Sequence, residues 1–217
     1  MRVGRWHGLV LGIAAALALV MLTDMPARAG VPSDQLRSQI ERVLKVLDDP
    51  ALKTESKTRE RRAAVRKIAE DIFDFTETAK RALGRHWAQR SQGEKDEFVG
   101  LFADLLERSY LSKIELYGGE KIAYTGDSID GDQASVKTKI VTKQGTEIPI
   151  EYRMLRKADR WLVYDVIIEG VSLISNYRTQ FNKVVQTESY QALVQKLRAK
   201  ETEPAASAAP RERRTTP

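Results

Sequence analysis

Apolar positions recur at helical spacing through the first half of the chain and alternate with polar ones through much of the second. Ser33 is placed to cap a helix carrying Leu36, Ile40, Val43, Leu44 and Leu47, which the Asp48-Asp49-Pro50 cluster stops. A second helix is expected from about Glu55 to Phe73, with Ala64, Ile68 and Ile72 spaced four apart. Asp74 to Leu83 reads as a short helix ended by Gly84, since glycine is the residue most favoured just past a helix end. Ser91-Gln92-Gly93-Glu94 fits a capping box, and the helix it opens sets Phe98, Leu101, Phe102, Leu105, Leu106 and Ser109 on a helical period.

After Gly118-Gly119 the period becomes two. Asp130-Gly131, Gln144-Gly145 and Lys157-Ala158-Asp159 divide residues 121–168 into four strands joined as an antiparallel meander. Val136, Thr138 and Ile140 alternate with lysines, and Ile148, Ile150, Tyr152 and Met154 alternate with charged residues. One face of such a sheet is covered and the other wet. The cover must come from the helices before and after, so the expected class is α+β: a four-stranded antiparallel meander under helices. The last strand runs to Ile168 and ends at Gly170, turning at once into a helix with Ile174, Tyr177 and Phe181 on one side. A final helix holds Tyr190, Leu193, Val194 and Leu197. Residues 201–217 are too poor in apolar side chains to fold and are expected to form a flexible tail.

The first 29 residues belong to none of this. Arg2 and Arg5 precede an apolar run from Leu9 to Leu22, and Ala27-Arg28-Ala29 offers a cleavage site after Ala29. The run has about 14 residues, against the roughly 20 that span a bilayer. A cleaved secretion signal is expected, leaving one domain over residues 30–200 and placing the product in the periplasm. Loss of Arg2, Arg5, Arg28 and Asp24 lowers the net charge from +6 to +4. The chain has no cysteine, so no disulfide supports the exported fold. Arg59, Arg61, Arg62, Arg66 and Lys67 form a basic stretch. Export and the lack of any RNP, zinc-finger or helix-turn-helix pattern argue against nucleic acid. A solvated helix face and contact with anionic lipid or acidic partners both remain open.

Catalytic chemistry finds little to stand on. With His7 in the signal, His86 is the last histidine, and one histidine makes neither a triad nor a zinc site. Ser172 lacks a nucleophile-elbow context. Asp127, Asp130 and Asp132 surround Gly131, but position 137 is Lys where a calcium loop needs Glu, so a hairpin turn is the better reading. Asp71 and Asp74 share a helix face with nothing to mark a cleft, and Gly118-Gly119 has no phosphate-loop continuation. The chain is expected not to be an enzyme and to use no metal or cofactor.

Two blocks carry a resemblance. The run Tyr164 to Phe181, and before it Phe73-Asp74-Phe75, Ala82-Leu83-Gly84, Trp87, Phe98, Phe102, Leu105-Leu106 and Tyr110, are similar in residue and spacing to the MlaC family of periplasmic phospholipid-binding proteins, also described as toluene-tolerance auxiliary components. The likeness extends over about residues 33–200; Thr78 departs from it, standing where many members carry Met, and so does the Arg-rich tail. It implies a curved sheet and helices enclosing an apolar pocket for acyl chains, with phospholipid as cargo and hopanoid or another lipid as the alternative. Implied partners are an inner-membrane ABC transporter with an MCE-domain subunit and an outer-membrane lipoprotein–porin complex. The lining it suggests is Phe75, Leu83, Phe98, Phe102, Tyr110, Ile140, Ile150, Tyr152, Val163, Val171, Ile174, Tyr177 and Phe181. Arg178 has two roles open to it: meeting a lipid phosphate, or pairing with Glu169 or Asp165 to fix the strand-to-helix junction. A non-lipid adaptor whose interior is simply full is one rival, and a secreted hydrolase whose site the sequence does not display is a more remote one.

Overall fold

The structure, a computed structural model, describes residues 31–202. The expected signal lies outside these residues, as does the tail beyond Thr202. Helix α1 spans Pro32–Asp48, α2 Thr58–Ile72, α3 Phe75–Leu83 and α4 Gln92–Glu115. Strands β1 (Lys121–Asp130), β2 (Gln133–Val141), β3 (Glu147–Lys157), β4 (Arg160–Ile168) and β5 (Val171–Ser172) follow, then α5 (Leu173–Thr187) and α6 (Tyr190–Thr202). No helix among the described residues is long and apolar enough to cross a membrane.

Local chemistry sets most of the boundaries. Asp74 caps α3 by accepting from the Glu77 amide at 3.0 Å. Ser91 and Glu94 form the full reciprocal capping box on α4. The start of α1 differs from expectation: Pro32 takes the first turn, where its missing N–H costs nothing. Ser33 instead donates its hydroxyl to Asp127 at 2.9 Å, tying the helix to β1.

The sheet is antiparallel in the order β1-β2-β3-β4-β5. It therefore has five strands, not four. Glu169 and Gly170, with φ of 50° and 80°, make a two-residue turn that pairs Ile168 with Val171 before α5 begins. Positive φ at both positions is what a type I′ hairpin needs, and its twist matches that of the strands. The expected direct passage from strand to helix is thus interrupted by a short edge strand.

Among the described residues, three buried clusters form the core, the smallest of them Leu47, Val65 and Leu111 between α1, α2 and α4, and two larger ones carry most of it. Leu36, Ile68 and Ile72 from α1 and α2 pack on Ala134, Val136, Met154, Trp161 and Val163 of the inner sheet face. The second core is helical: α3, α4, α5 and α6 bury Leu83, Phe98, Phe102, Ile174, Tyr177, Phe181 and Leu193 against one another. The two share no residue.

Candidate ligand-binding site

The centre of β4 joins the two resembling blocks. The Asp74 amide donates to Val163 O at 2.9 Å and Phe73 forms a parallel bridge with Val163, so the Phe-Asp-Phe segment lies along β4. One residue on, the Thr78 hydroxyl donates to Tyr164 O at 3.1 Å, and the Arg81 guanidinium sits 4.0 Å from the Tyr164 ring centre. The departure at Thr78 is thereby absorbed as a buried hydrogen bond. At the next position Asp165 accepts from the Ile174 amide at 3.1 Å, holding the start of α5. Three consecutive β4 residues fix α3 and α5 in place, and with them the helical core.

The thirteen suggested lining residues do not come together as one wall. Leu83, Phe98, Phe102, Ile174, Tyr177 and Phe181 lie in the helical core, and Tyr110 packs partly buried against it. Phe102 meets Tyr177 and Phe181 edge-on at 5.1 and 5.2 Å, a packing that leaves little room between the rings. Val163 belongs to the sheet core, with Tyr152 at its margin. Phe75 is half-buried and stacked on Phe73 at 5.7 Å. Val171, on the edge strand, is 58% exposed.

Ile140 and Ile150 belong to neither core, and they point to a feature the sequence reading did not assemble. Strand pairing sets Ile122 opposite Ile140, Ile140 opposite Ile148, and Ile150 opposite Ile168. Opposed residues of antiparallel strands point to the same face. Five isoleucines therefore continue the inner face beyond Val136 and Thr138, half-buried apart from the buried Ile150, and none belongs to a core cluster. The alternation that singled out Ile140 and Ile150 also carried Ile148. Ile122 and Ile168 needed the register.

Two hollows lie elsewhere. A cleft of about 180 Å³ is lined by Gln35, Leu36, Asp71, Ile72, Met154 and Trp161, below the roughly 300–1,000 Å³ of pockets that enclose a drug-sized ligand. A wide basin of about 800 Å³ is bordered by Glu55, Arg59, Arg62, Arg66 and Glu107. Neither is apolar enough, or placed, to be the expected pocket. The basin's cations are largely engaged. Arg61 and Arg62 both reach Glu115, at 2.9 and 2.8 Å, while Arg66 meets Asp104 and Glu107 at 2.8 and 2.7 Å. Burial alone would raise Glu115, but hydrogen bonds from Arg62 and Arg61 outweigh it and hold the carboxyl below its ordinary value. This stretch bolts α2 to α4.

The remaining candidates take structural places. His86 Nε2 lies 3.0 Å from Asn182 Oδ1, linking the turn after α3 to α5. Ser172 caps α5. Arg178 pairs with neither Glu169 nor Asp165. Its exposed side chain crosses Gly84, where φ is +57° and an added Cβ would lie 3.3 Å from Arg178 Cδ, and its Nη2 reaches Ser175 Oγ at 3.4 Å. Gly84 thus both ends α3 and makes room for Arg178.

Comparison with known proteins agrees with this architecture. A solved phospholipid-binding protein from Ralstonia solanacearum, in complex with a phospholipid, superposes with a TM-score of 0.69 at 24% identity, covering 78% of this chain and 96% of that one. The intermembrane phospholipid transport system binding protein MlaC of Haemophilus influenzae is 22% identical over 129 residues, 57% of this chain and 60% of that protein. The toluene tolerance protein ttg2D of Pseudomonas putida is 23% identical over 131 residues, 57% of this chain and 58% of its own length. The matched segments span about three fifths of these two relatives. The family model described as MlaC protein matches residues 37–199, which hold both blocks, all five strands and the helical core, and the chain belongs to the MlaC family.

Proposed function

We propose that this chain is a periplasmic lipid carrier, not a catalyst, that holds the acyl chains of a phospholipid against the isoleucine half of its inner sheet face and passes the lipid between membrane complexes. The observation that supports it most is that face itself: Ile122, Ile140, Ile148, Ile150 and Ile168 share one side of the sheet, belong to no core cluster, and all but Ile150 are only half-buried. A globular domain gains nothing from leaving such a surface half-covered, whereas a carrier requires it. The phospholipid complex of the Ralstonia relative and the transport role named for the Haemophilus one favour the same reading.

The physics of the cargo sets the design. Two acyl chains hold roughly 30 methylenes at about 0.8 kcal/mol each, so a free monomer does not cross an aqueous gap at a useful rate. A carrier must match the bilayer without greatly exceeding it, or release fails. The helical core is already filled, so the chains are placed along the isoleucine face and not between the helices. Docking at each membrane supplies the bias. The partners in this scheme are an ABC transporter with an MCE-domain subunit at the inner membrane and a lipoprotein–porin complex at the outer. The secretion signal, residues 1–29, delivers the protein to the compartment between them, and maintenance of outer-membrane lipid asymmetry follows from the exchange.

Native mass spectrometry of the protein purified without detergent, followed by solvent extraction, tests this. A stoichiometric adduct with the mass of a two-chain phospholipid is the expected result. A polycyclic adduct would redirect the cargo to hopanoids. A folded protein that flies at its bare mass and takes up no lipid from vesicles overturns the carrier reading in favour of an adaptor.

A further inference from the structure

Three hydroxyls interrupt the apolar inner face just where the sheet core gives way to the isoleucines. Tyr124 on β1 is paired directly with Thr138 on β2. Tyr152 on β3 is paired with Val136, two residues from Thr138, so all three side chains project from one face as close or diagonal neighbours. Their surroundings are dry: Val136 is fully buried, Met154 is 1% exposed and Ile150 9%. Thr138 is itself 2% exposed, and its hydroxyl lacks a partner at hydrogen-bonding distance. Burial pushes the Tyr152 phenol up to about 12, opposed by the neighbouring Thr138 hydroxyl. Burial and the proximity of Tyr152 do the same for Tyr124, also up to about 12.

Such a cluster is costly without a ligand. The Thr138 hydroxyl makes no hydrogen bond to either phenol, so its proton has no acceptor among the described residues. A buried donor left without one costs about 1–3 kcal/mol, and valine at position 138 would avoid that cost with the same shape. From the carrier reading above, on which this rests, we propose that Tyr124, Thr138 and Tyr152 are a donor subsite that recognises the ester oxygens of a diacyl lipid, setting its glycerol at the hydroxyls and its chains along the isoleucines.

Neutral donors in a dry setting suit a neutral acceptor. A phosphate placed at Thr138 and Tyr152 would bring its charge out of water among Val136, Ile150 and Met154, all buried and apolar. The guanidinium of Arg37, on α1, is held 4.1 Å over the Tyr124 ring. An ester carbonyl offers two lone pairs without charge.

The experiment offers the protein vesicles containing equal parts of dioleoyl phosphatidylglycerol and its diether analogue, which keeps headgroup and chains but lacks both carbonyls. Lipid extracted from the re-isolated protein is then counted. Wild type is expected to favour the diester by about tenfold, the factor that one net hydrogen bond of about 1.4 kcal/mol supplies. The T138V/Y152F double variant is expected to take up lipid in the ratio present in the vesicles, and Thr138→Ser, which keeps the hydroxyl, to retain the preference. Equal uptake of both lipids by wild type overturns the subsite while leaving the carrier intact, and so does a preference that survives the double variant. Uptake of neither lipid by wild type overturns the carrier reading and this one with it. The wild-type ratio decides the matter even where the double variant does not fold.

Discussion

Ser172 donates its hydroxyl to Asp165 Oδ2 at 2.6 Å across the β4–β5 hairpin, and the same Ser172 oxygen accepts the Ser175 amide at 3.0 Å. One hydroxyl therefore closes the sheet and opens α5. Asp165 is only 5% exposed and also takes the Ile174 amide, so it anchors two backbone donors of the helix start, one directly and one through Ser172. Ser172→Ala removes the cap and is expected to cost about 1 kcal/mol, lowering the melting temperature by about 2–4 °C for a chain of this size. Asp165→Ala leaves the Ile174 amide without its acceptor and is expected to cost about 1–3 kcal/mol. The double variant should lose less than the sum, because both act through one network. Thermal melts of the three proteins check this, and strict additivity would mean the two residues work separately.

The two apolar regions should respond to truncation in opposite ways. Phe102 is 1% exposed within the helical core, and Phe102→Ala is expected to cost about 3–5 kcal/mol through cavity formation. Ile148 and Ile168 are half-buried and outside every core cluster. Replacing either by serine should cost about 1 kcal/mol or less, since surface positions rarely cost more, while reducing lipid retained through detergent-free purification several-fold. Urea titrations beside lipid counts separate the two effects. A severe loss of stability at Ile148 would place it in a core and weaken the carrier argument.

The split explains what could be read from the chain and what could not. Asp74, Gly84 and the Ser91–Glu94 box marked helix ends because capping is local chemistry, written within four residues. Alternation on β2 and β3 gave the buried face for the same reason. Strand β5 has two residues, too few to display a period, so only the Ile168–Val171 pairing reveals it. Ser33 fits a cap by type, but a tertiary partner, Asp127, claims its hydroxyl and Pro32 begins the helix. The lining residues were the least legible. Periodicity says that Phe102 and Ile140 are turned inward, but not that one meets a packed helical layer and the other an uncommitted stretch of sheet.

Arg178 offers a clean separation of roles. It forms no ion pair with the strand-to-helix junction, its hydroxyl contact with Ser175 is long at 3.4 Å, and the side chain is exposed. Arg178→Ala is therefore expected to change stability by no more than about 0.5 kcal/mol. Any larger loss in uptake of anionic over zwitterionic phospholipid would then belong to the guanidinium meeting a phosphate. Gly84→Ala, by contrast, forces a Cβ into left-handed backbone and against Arg178 Cδ at 3.3 Å, and should cost about 1–2 kcal/mol. Melting curves alongside uptake from the two vesicle types distinguish the variants, and a destabilised Arg178→Ala would return the residue to a structural role.

Glu115 gives the fold a dependence on acid. Its side chain is 12% exposed and bridges Arg61 and Arg62, joining the end of α4 to α2. The folded carboxyl lies below its ordinary value of 4.5, so its contribution is complete above that value and is lost as the pH falls through the lower folded one. Glu115→Gln should be less stable at neutral pH by about 1–2 kcal/mol, the modest end for bonds to charged groups because Arg62 is 39% exposed and screened by water. Below pH 4.5 the gap between wild type and variant should close from the wild-type side, since only wild type has a proton to take up at this position. Urea midpoints measured from neutral pH down to about 3 test the point, and a gap that stays constant over that range would show that Glu115 is not the group responsible.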